Sequence, residues 1–309
     1  MKRLTSIKDL QIMADVIRED IIASLVSAKS GHSAGPLGMA DIFTALYFNI
    51  LKHNPKSPKW EGRDRLVLSN GHICPVLYAA MANAGYFSKE ELLTLRKLGT
   101  RLQGHPHRQA LPGLETTSGP LGSGLSQSAG MAYGLKLDKR ENLVFCLCSD
   151  GEQDEGNHWE AVMFAAKYKL NNLIAITDRN YIQIDGNTED IMPLDPLDKK
   201  YESFNWQVKT IDGNDMAVII KTLSEAVKQI KSRNRPLMII ANTVPGKGVD
   251  YMENDYKWHG KPPELEEALL AVEEIHAHEA SERGDWYLKH LKLKPLHPSQ
   301  EQKKKHESY

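Results

Sequence analysis

The sequence predicts a three-layer α/β/α fold around a mostly parallel central sheet. Short apolar runs at Leu143 to Cys148, Leu173 to Thr177 and Leu237 to Asn242 are bounded by turn signals, as strands buried on both faces are. Helical stretches, Gly156 to Lys169 and Asp215 to Ser232, separate such runs, so strand and helix alternate from Leu143 to Asn242. That alternation implies right-handed crossovers and parallel pairing. The first two of these strands also run into polar residues, Ser149-Asp150-Gly151-Glu152 and Asn180, at the carboxyl edge where open α/β sheets place ligands.

Composition narrows the partners. A chain of 309 residues is one large or two small domains with a sizeable core. Lys plus Arg number 39 against 40 for Asp plus Glu, so no basic excess points to nucleic acid and no acidic run to disorder. Three cysteines, Cys74, Cys146 and Cys148, cannot build a disulfide framework, and two of them sit on an apolar strand as small core residues. The amino terminus carries a charge within a few residues of every apolar position, unlike a signal peptide or a membrane span. A reducing compartment, the cytoplasm, is the expectation.

From the amino terminus, Ile7, Leu10, Met13, Ile17, Ile21 and Leu25 recur at three and four residues and predict an amphipathic helix to about Lys29. The stretch SGHSAGPLGMAD, with three glycines and a proline, predicts a loop carrying His32 before a second helix striped by Ile42, Leu46 and Ile50. Arg65 to Ser69 reads as a short strand whose carboxyl end, Asn70-Gly71-His72, is placed as Asp150 is. A helix near Pro75 to Ala84 follows, and Ser88 with Glu91 predicts a capping box for a helix to about Leu98. Gly99 to Gly124 is the longest irregular segment, and long ordered loops in compact domains are usually functional.

Within that segment GPLGSGLSQ invites a dinucleotide reading, which fails because Gln127 stands where the third glycine belongs and no strand precedes it. A helix from Gly124 to Leu137 begins there, and the glycines let backbone approach a flat ligand or another chain, or merely turn sharply. Trp206 to Ile211 predicts a further strand. Gly246-Lys247-Gly248 lacks the rest of a Walker motif. After Pro263 the pattern turns helical and then charged, which divides the chain into a domain at 1–275 and a helical, charged extension with a mobile tail at 276–309.

Asp150 and Asn180 stand 30 residues apart at the edges of neighbouring strands. One carboxylate and one amide suit Mg2+ or Ca2+ far better than zinc. A single carboxylate leaves a divalent cation uncompensated, and a phosphate-bearing ligand supplies the missing charge.

Asp-Gly, about thirty residues and then Asn resembles the thiamine-diphosphate motif, with Ser149 where that family usually has a glycine and needs a small residue. Around it lie SGH at His32, RDRLVLSNGH at His72, RLQGHP at His105, PGLETTSGPLGSGLSQSAGMA from Pro112 to Ala132, and WHG at His259. Singly each histidine reads as a surface or capping residue. In this order the blocks resemble the amino-terminal half of transketolase, from about Ser27 to Gly260.

The resemblance implies a thiamine-diphosphate-binding fold, with 1–275 as its diphosphate-binding domain. It implies Asp150, Asn180 and the carbonyl of Ile182 as ligands of Mg2+, with Ca2+ or Mn2+ as alternatives. His72, Gly151 and His259 would bind the diphosphate, and Gly119, Pro120 and Leu121 would meet the aminopyrimidine through their backbone. His32, His105 and His259 would surround the reacting carbon and the sugar hydroxyls, His32 and His259 moving protons and His105 bonding the donor's C1 hydroxyl. Glu155, counted with the catalytic set, and Glu160 correspond to acidic residues at the interface near the partner's cofactor site.

In the family, the glutamate that activates the aminopyrimidine lies in a second, pyrimidine-binding domain, and a full transketolase is about twice as long as this chain. The expectation is therefore a split enzyme of pentose phosphate metabolism, a heterotetramer with two copies of this chain and two of a separate carboxyl-terminal subunit, which acts on sugar phosphates. Family contacts to the substrate phosphate fall mostly in that other half, so a specialised ketose, including one with a sulfonate or a branched chain, stays open. The alternatives are a 1-deoxyxylulose-5-phosphate synthase-like chain, the alpha subunit of a 2-oxo-acid dehydrogenase, and a binding-only regulatory subunit.

Overall fold

The computed structural model describes residues 3–278. Its centre is a sheet of five strands: β1 (Arg65–Leu68), β2 (Val144–Ser149), β3 (Leu173–Arg179), β6 (Gln207–Asp212) and β7 (Leu237–Asn242), in the order β1-β2-β3-β7-β6. Every pairing is parallel, with Leu68 opposite Leu147, Ser149 opposite Asp178 and Arg179 opposite Asn242. All five carboxyl ends thus emerge along one edge. A two-stranded antiparallel ribbon, β4 (Ile182–Gln183) with β5 (Gly186–Asn187), hangs from the end of β3.

The period-two alternation of strand side chains divides the core into two. Phe145, Leu147, Ile174, Ile176 and Ile239 face one side, where they pack with residues of α1 (Ile7–Ala28), α2 (Ala34–Gly38), α3 (Ala40–Ala45), α4 (Cys74–Ala84), α9 (Met216–Lys228) and α10 (Leu265–His278). Val144, Cys146, Cys148, Ala175 and Met238 face the other, against α5 (Ser123–Leu137), α6 (Gly156–Lys167) and α8 (Leu197–Ser203). This is the expected three-layer arrangement around a mostly parallel sheet. The three cysteines are buried and free, and no helix among the described residues is long and apolar enough to cross a membrane.

Several local expectations are corrected. The glycine-rich stretch after His32 is helical at Ala34–Gly38, not a loop, and the expected helix after it runs through α3 and widens without a break into a π-helix at Leu46–Ile50. Two glycines survive inside α2 because a methyl on Gly35 would lie 2.8 Å from Cγ2 of Ile73, and one on Gly38 would lie 2.8 Å from the Val244 carbonyl oxygen. Tight packing thus overrides poor helix propensity. No capping box forms at Ser88: the segment Lys89–Thr94 is 3-10, the Ser88 hydroxyl donates to Glu90, and Glu91 instead takes Arg101 at 2.8 and 2.9 Å. A short helix, α7 (Thr188–Ile191), follows the ribbon. Helix α10 runs through the expected boundary at 275, and the tail expected beyond it lies outside the described residues.

Candidate active site

The ends of the parallel strands surround a cavity of about 550 Å3. His32 enters it from the short loop between α1 and α2, His72 from the turn after β1, His105 from the long irregular segment, and His259 from just beyond a single 3-10 turn, Tyr256–Trp258. The rings of His32, His72 and His259 form a triangle with centroid separations of 5.0, 5.3 and 5.4 Å. Gly119, Leu121, Asp150, Gly151, Glu155, Asn180 and Ile182 line the same cavity. Of the sequence-derived set, Pro120 is exposed beside it between two lining residues, and Glu160 lies exposed on α6 without reaching it.

Asp150 and Asn180 are held by the backbone around them. One carboxylate oxygen of Asp150 accepts the Gly151 N–H at 2.8 Å, and the other accepts the Tyr181 N–H at 2.8 Å with Nη1 of Arg179 at 3.4 Å. The amide of Asn180 donates to Asp178 at 2.9 Å and accepts the Ile182 N–H at 3.1 Å. Asp178 in turn accepts the Thr243 hydroxyl, so the residue after strand β7 helps fix which way the Asn180 oxygen faces. Burial pushes the Asp150 carboxyl up to about 6. Burial, reinforced by the neighbouring Asp150, takes Asp178 to about 8. A divalent cation on Asp150 and Asn180 would reverse that penalty by favouring the ionised form.

The imidazoles are kept neutral at pH 7. Burial lowers His32 to about 4, with His259, Arg96 and His105 adding repulsion, and burial with the neighbouring histidines takes His72 well below its usual value. His105, at the cavity's edge, is lowered by partial loss of solvent and by Arg96, and His259 by burial. Nδ1 of His32 and Nδ1 of His259 are buried with no protein partner. Such orphaned nitrogens beside a cavity are what a bound ligand satisfies.

The glycine-rich segment serves two ends. Gly119, at φ 150°, would meet nothing within 4 Å if it carried a methyl, so its backbone lies open. Gly122, at φ 74°, and Gly124 are instead pressed against the protein: an added Cβ would fall 2.7 Å from Cβ of Glu155 and 2.3 Å from Cβ of Ser69 respectively.

Two site residues carry no clear mark in the sequence. Glu152 is fully buried and accepts from the Ser69 hydroxyl, the Gly122 N–H at 3.1 Å and the Ser149 N–H at 2.8 Å. Its only sequence signal is adjacency to Asp-Gly. Arg179, 1% exposed, reaches Asp150, Glu189, Asp195 at 3.2 Å and Thr188 at 3.0 Å, and lies 4.0 Å from the Tyr181 ring centroid. A charge at the end of an apolar run gives no sign of burial. Cys148, Glu152 and His158 also cluster, all three buried, but the Glu152 carboxylate is already occupied by donors.

A parallel sheet whose edge brings the Asp150 carboxylate and the Asn180 amide to a histidine-lined cavity beside an open glycine backbone defines a thiamine-diphosphate-binding α/β domain. The family described as transketolase, thiamine diphosphate binding domain, matches residues 10–280. The chain belongs to that family. It is 41% identical over 267 residues to the 6-deoxy-6-sulfo-D-fructose transketolase subunit SqwG of Clostridium sp. (strain MSTE9), covering 86% of this chain and 96% of that one. To an apulose-4-phosphate transketolase subunit of Phocaeicola vulgatus it is 39% identical, covering 87% and 94%. The crystal structure of transketolase from Campylobacter jejuni superposes with a TM-score of 0.83 at 35% identity, over 88% of this chain and 43% of that chain. The chain therefore spans less than half of that longer transketolase and nearly the whole of the two subunits.

Proposed function

We propose that the chain is the diphosphate-binding subunit of a transketolase, transferring a two-carbon ketol unit from a ketose to an aldose together with a separate pyrimidine-binding subunit. The observation that carries this reading is the meeting of Asp150, Asn180 and Ile182 with His32, His72, His105 and His259 in one cavity. Two relatives of matching length are named as transketolase subunits, which supports a partner chain; two copies of each is the proposed assembly. Exposed apolar residues at and beside the cavity, Leu121, Tyr181 and Ile184, suit a partner seated over it. Glu155 faces the cavity from its rim, where it would meet that partner.

The residues present fit thiamine diphosphate with a hard divalent cation. Asp150, Asn180 and the Ile182 carbonyl form an all-oxygen set suited to Mg2+, or to Ca2+ or Mn2+. Asp154, Glu155 and Asp185 also line the cavity, so a bare diphosphate would be repelled and a cation must stand between. His72, His259 and the Gly151 backbone would bind the diphosphate, and the open backbone of Gly119 to Leu121 would receive the aminopyrimidine. Thiamine diphosphate supplies the carbanion chemistry when bound.

The chain's own part is binding, orientation and proton transfer. A neutral imidazole can take a proton from a sugar hydroxyl as the adjacent carbon-carbon bond breaks. His32 and His259 are assigned that role, and His105 the hydrogen bond to the donor's C1 hydroxyl. No lysine or arginine lines the cavity among the described residues, so an anionic end of the sugar would be held by the partner. The names of the two relatives specify a sulfonated and a phosphorylated sugar, and a ketose with one anionic terminus is the proposed donor class. The cytoplasm is the proposed location.

Purifying the chain with its candidate partner and assaying ketol transfer tests the reading. Transfer by the pair and none by either chain alone is expected. Cofactor binding by the pair without transfer from any ketose would favour a binding-only role.

A further inference from the structure

Arg96 is one of the few non-glycine residues with positive φ, at 58°, a backbone state that costs energy and persists where the surroundings impose it. Its N–H donates to the Leu102 carbonyl at 2.9 Å, closing a turn whose far side leads to Gly104 and His105. From this turn the guanidinium reaches the Ser30 hydroxyl at 3.1 Å and the Gly104 carbonyl at 3.4 Å. These contacts sit two residues before His32 and one before His105. The approach at the second is close: a Cβ on Gly104 would lie 2.7 Å from both Nε and Cζ of Arg96, so a side chain there would displace the guanidinium. A Cβ on Gly31, next to His32, would come within 3.8 Å of the same Nε.

We propose that Arg96 is a positioning residue that spans the His32 and His105 loops and places a fixed positive charge beside both imidazoles. The inference rests on the transketolase reading for what those histidines do, but not for the geometry. The fork of a guanidinium bonds two loops at once, which a point charge on a lysine does not reproduce. Its fixed positive charge beside His32 and His105 opposes their protonation, in addition to burial and, for His32, to repulsion from His259 and His105. The 103–104 stretch is tied from its other side by the Tyr78 hydroxyl, at 2.8 Å from the Gln103 carbonyl, and by the Cys74 thiol, at 3.2 Å from the Gly104 carbonyl. The loop is thus clamped between α4 and Arg96.

Charge and fork are separable by two substitutions read in two ways. The His105 ring is titrated by NMR in the isolated chain, its signal assigned from a His105→Gln variant, which needs neither partner nor turnover. Arg96→Gln is expected to raise the His105 midpoint by about half a pH unit. Arg96→Lys, which keeps the charge, is expected to leave that midpoint in place yet lower kcat of the reconstituted pair about tenfold with KM little changed. An unmoved midpoint in a folded Arg96→Gln chain would overturn the electrostatic half of the proposal, and wild-type kcat in Arg96→Lys the positioning half. If the reconstituted pair has no ketol-transfer activity, the transketolase reading fails while the NMR result still decides the electrostatic half of the proposal.

Discussion

The Ser69 hydroxyl donates to the carboxylate of Glu152, joining the end of β1 to the turn after β2 across 83 residues of sequence. The same carboxylate holds the Gly122 and Ser149 N–H groups, so one buried anion ties together the supports of His72, the glycine segment and Asp150. Glu152→Gln keeps the shape but turns an amide NH2 towards groups that are themselves donors. Equilibrium unfolding in urea should show a loss of about 2–3 kcal/mol. A change within about 0.5 kcal/mol would mean that the carboxylate is not the clamp.

Asp150→Ala removes the single carboxylate of the proposed ligand set. Calorimetric titration of thiamine diphosphate in the presence of Mg2+ should show affinity falling about 100-fold or more, with the metal dependence lost. Wild-type affinity in this variant would remove Asp150 from the metal site.

His105 is exposed at the cavity's edge and takes no part in the Asp150 and Asn180 network. His105→Ala should therefore bind cofactor within about threefold of wild type while kcat of the pair drops about 100-fold, the scale of one lost transition-state donor. A large loss of cofactor affinity with kcat preserved would place His105 at the cofactor instead of the sugar.

The strands are legible in the sequence because each central one is an unbroken apolar run, and the proposed metal pair is legible because Asp150 and Asn180 sit where two such runs stop. What stays hidden depends on contacts between distant segments. Strands β4 and β5 have two residues each, too short for any alternation to register. The helix after His32 exists because Gly35 and Gly38 fit against Ile73 and Val244, partners that no local pattern reveals. Arg179 looks like the polar end of a strand, and only Glu189 and Asp195, folded back by the segment after the ribbon, explain its burial. The histidines are individually mute. Their common cavity is visible in the sequence only through the resemblance of their surrounding blocks.

Buried His158, bonded to the Tyr201 hydroxyl at 2.6 Å and lacking a partner on Nδ1, is lowered by burial to about 4. Above about 6.5, its usual value in an unfolded chain, neither state carries the proton. Between there and about 4 the unfolded chain binds a proton that the folded one refuses, so stability falls as pH falls. Buried Asp20, Asp150 and Asp178, raised to about 7, 6 and 8, push the other way, so the effect is read against a variant that shares them. Relative to His158→Gln, wild type should lose up to about 3 kcal/mol between about pH 6.5 and about pH 4. A difference that stays flat with pH would show that His158 protonates freely when folded.

Asp150, Asn180 and Ile182 are proposed to hold the cation that carries the diphosphate. Crystals of the chain with its partner, soaked in thiamine diphosphate and Mn2+, test that assignment through the anomalous signal of manganese. One strong peak is expected within about 2.5 Å of an Asp150 carboxylate oxygen, the Asn180 amide oxygen and the Ile182 carbonyl. A peak at Cys148, Glu152 and His158 instead, or bound diphosphate with no metal at Asp150, would contradict it.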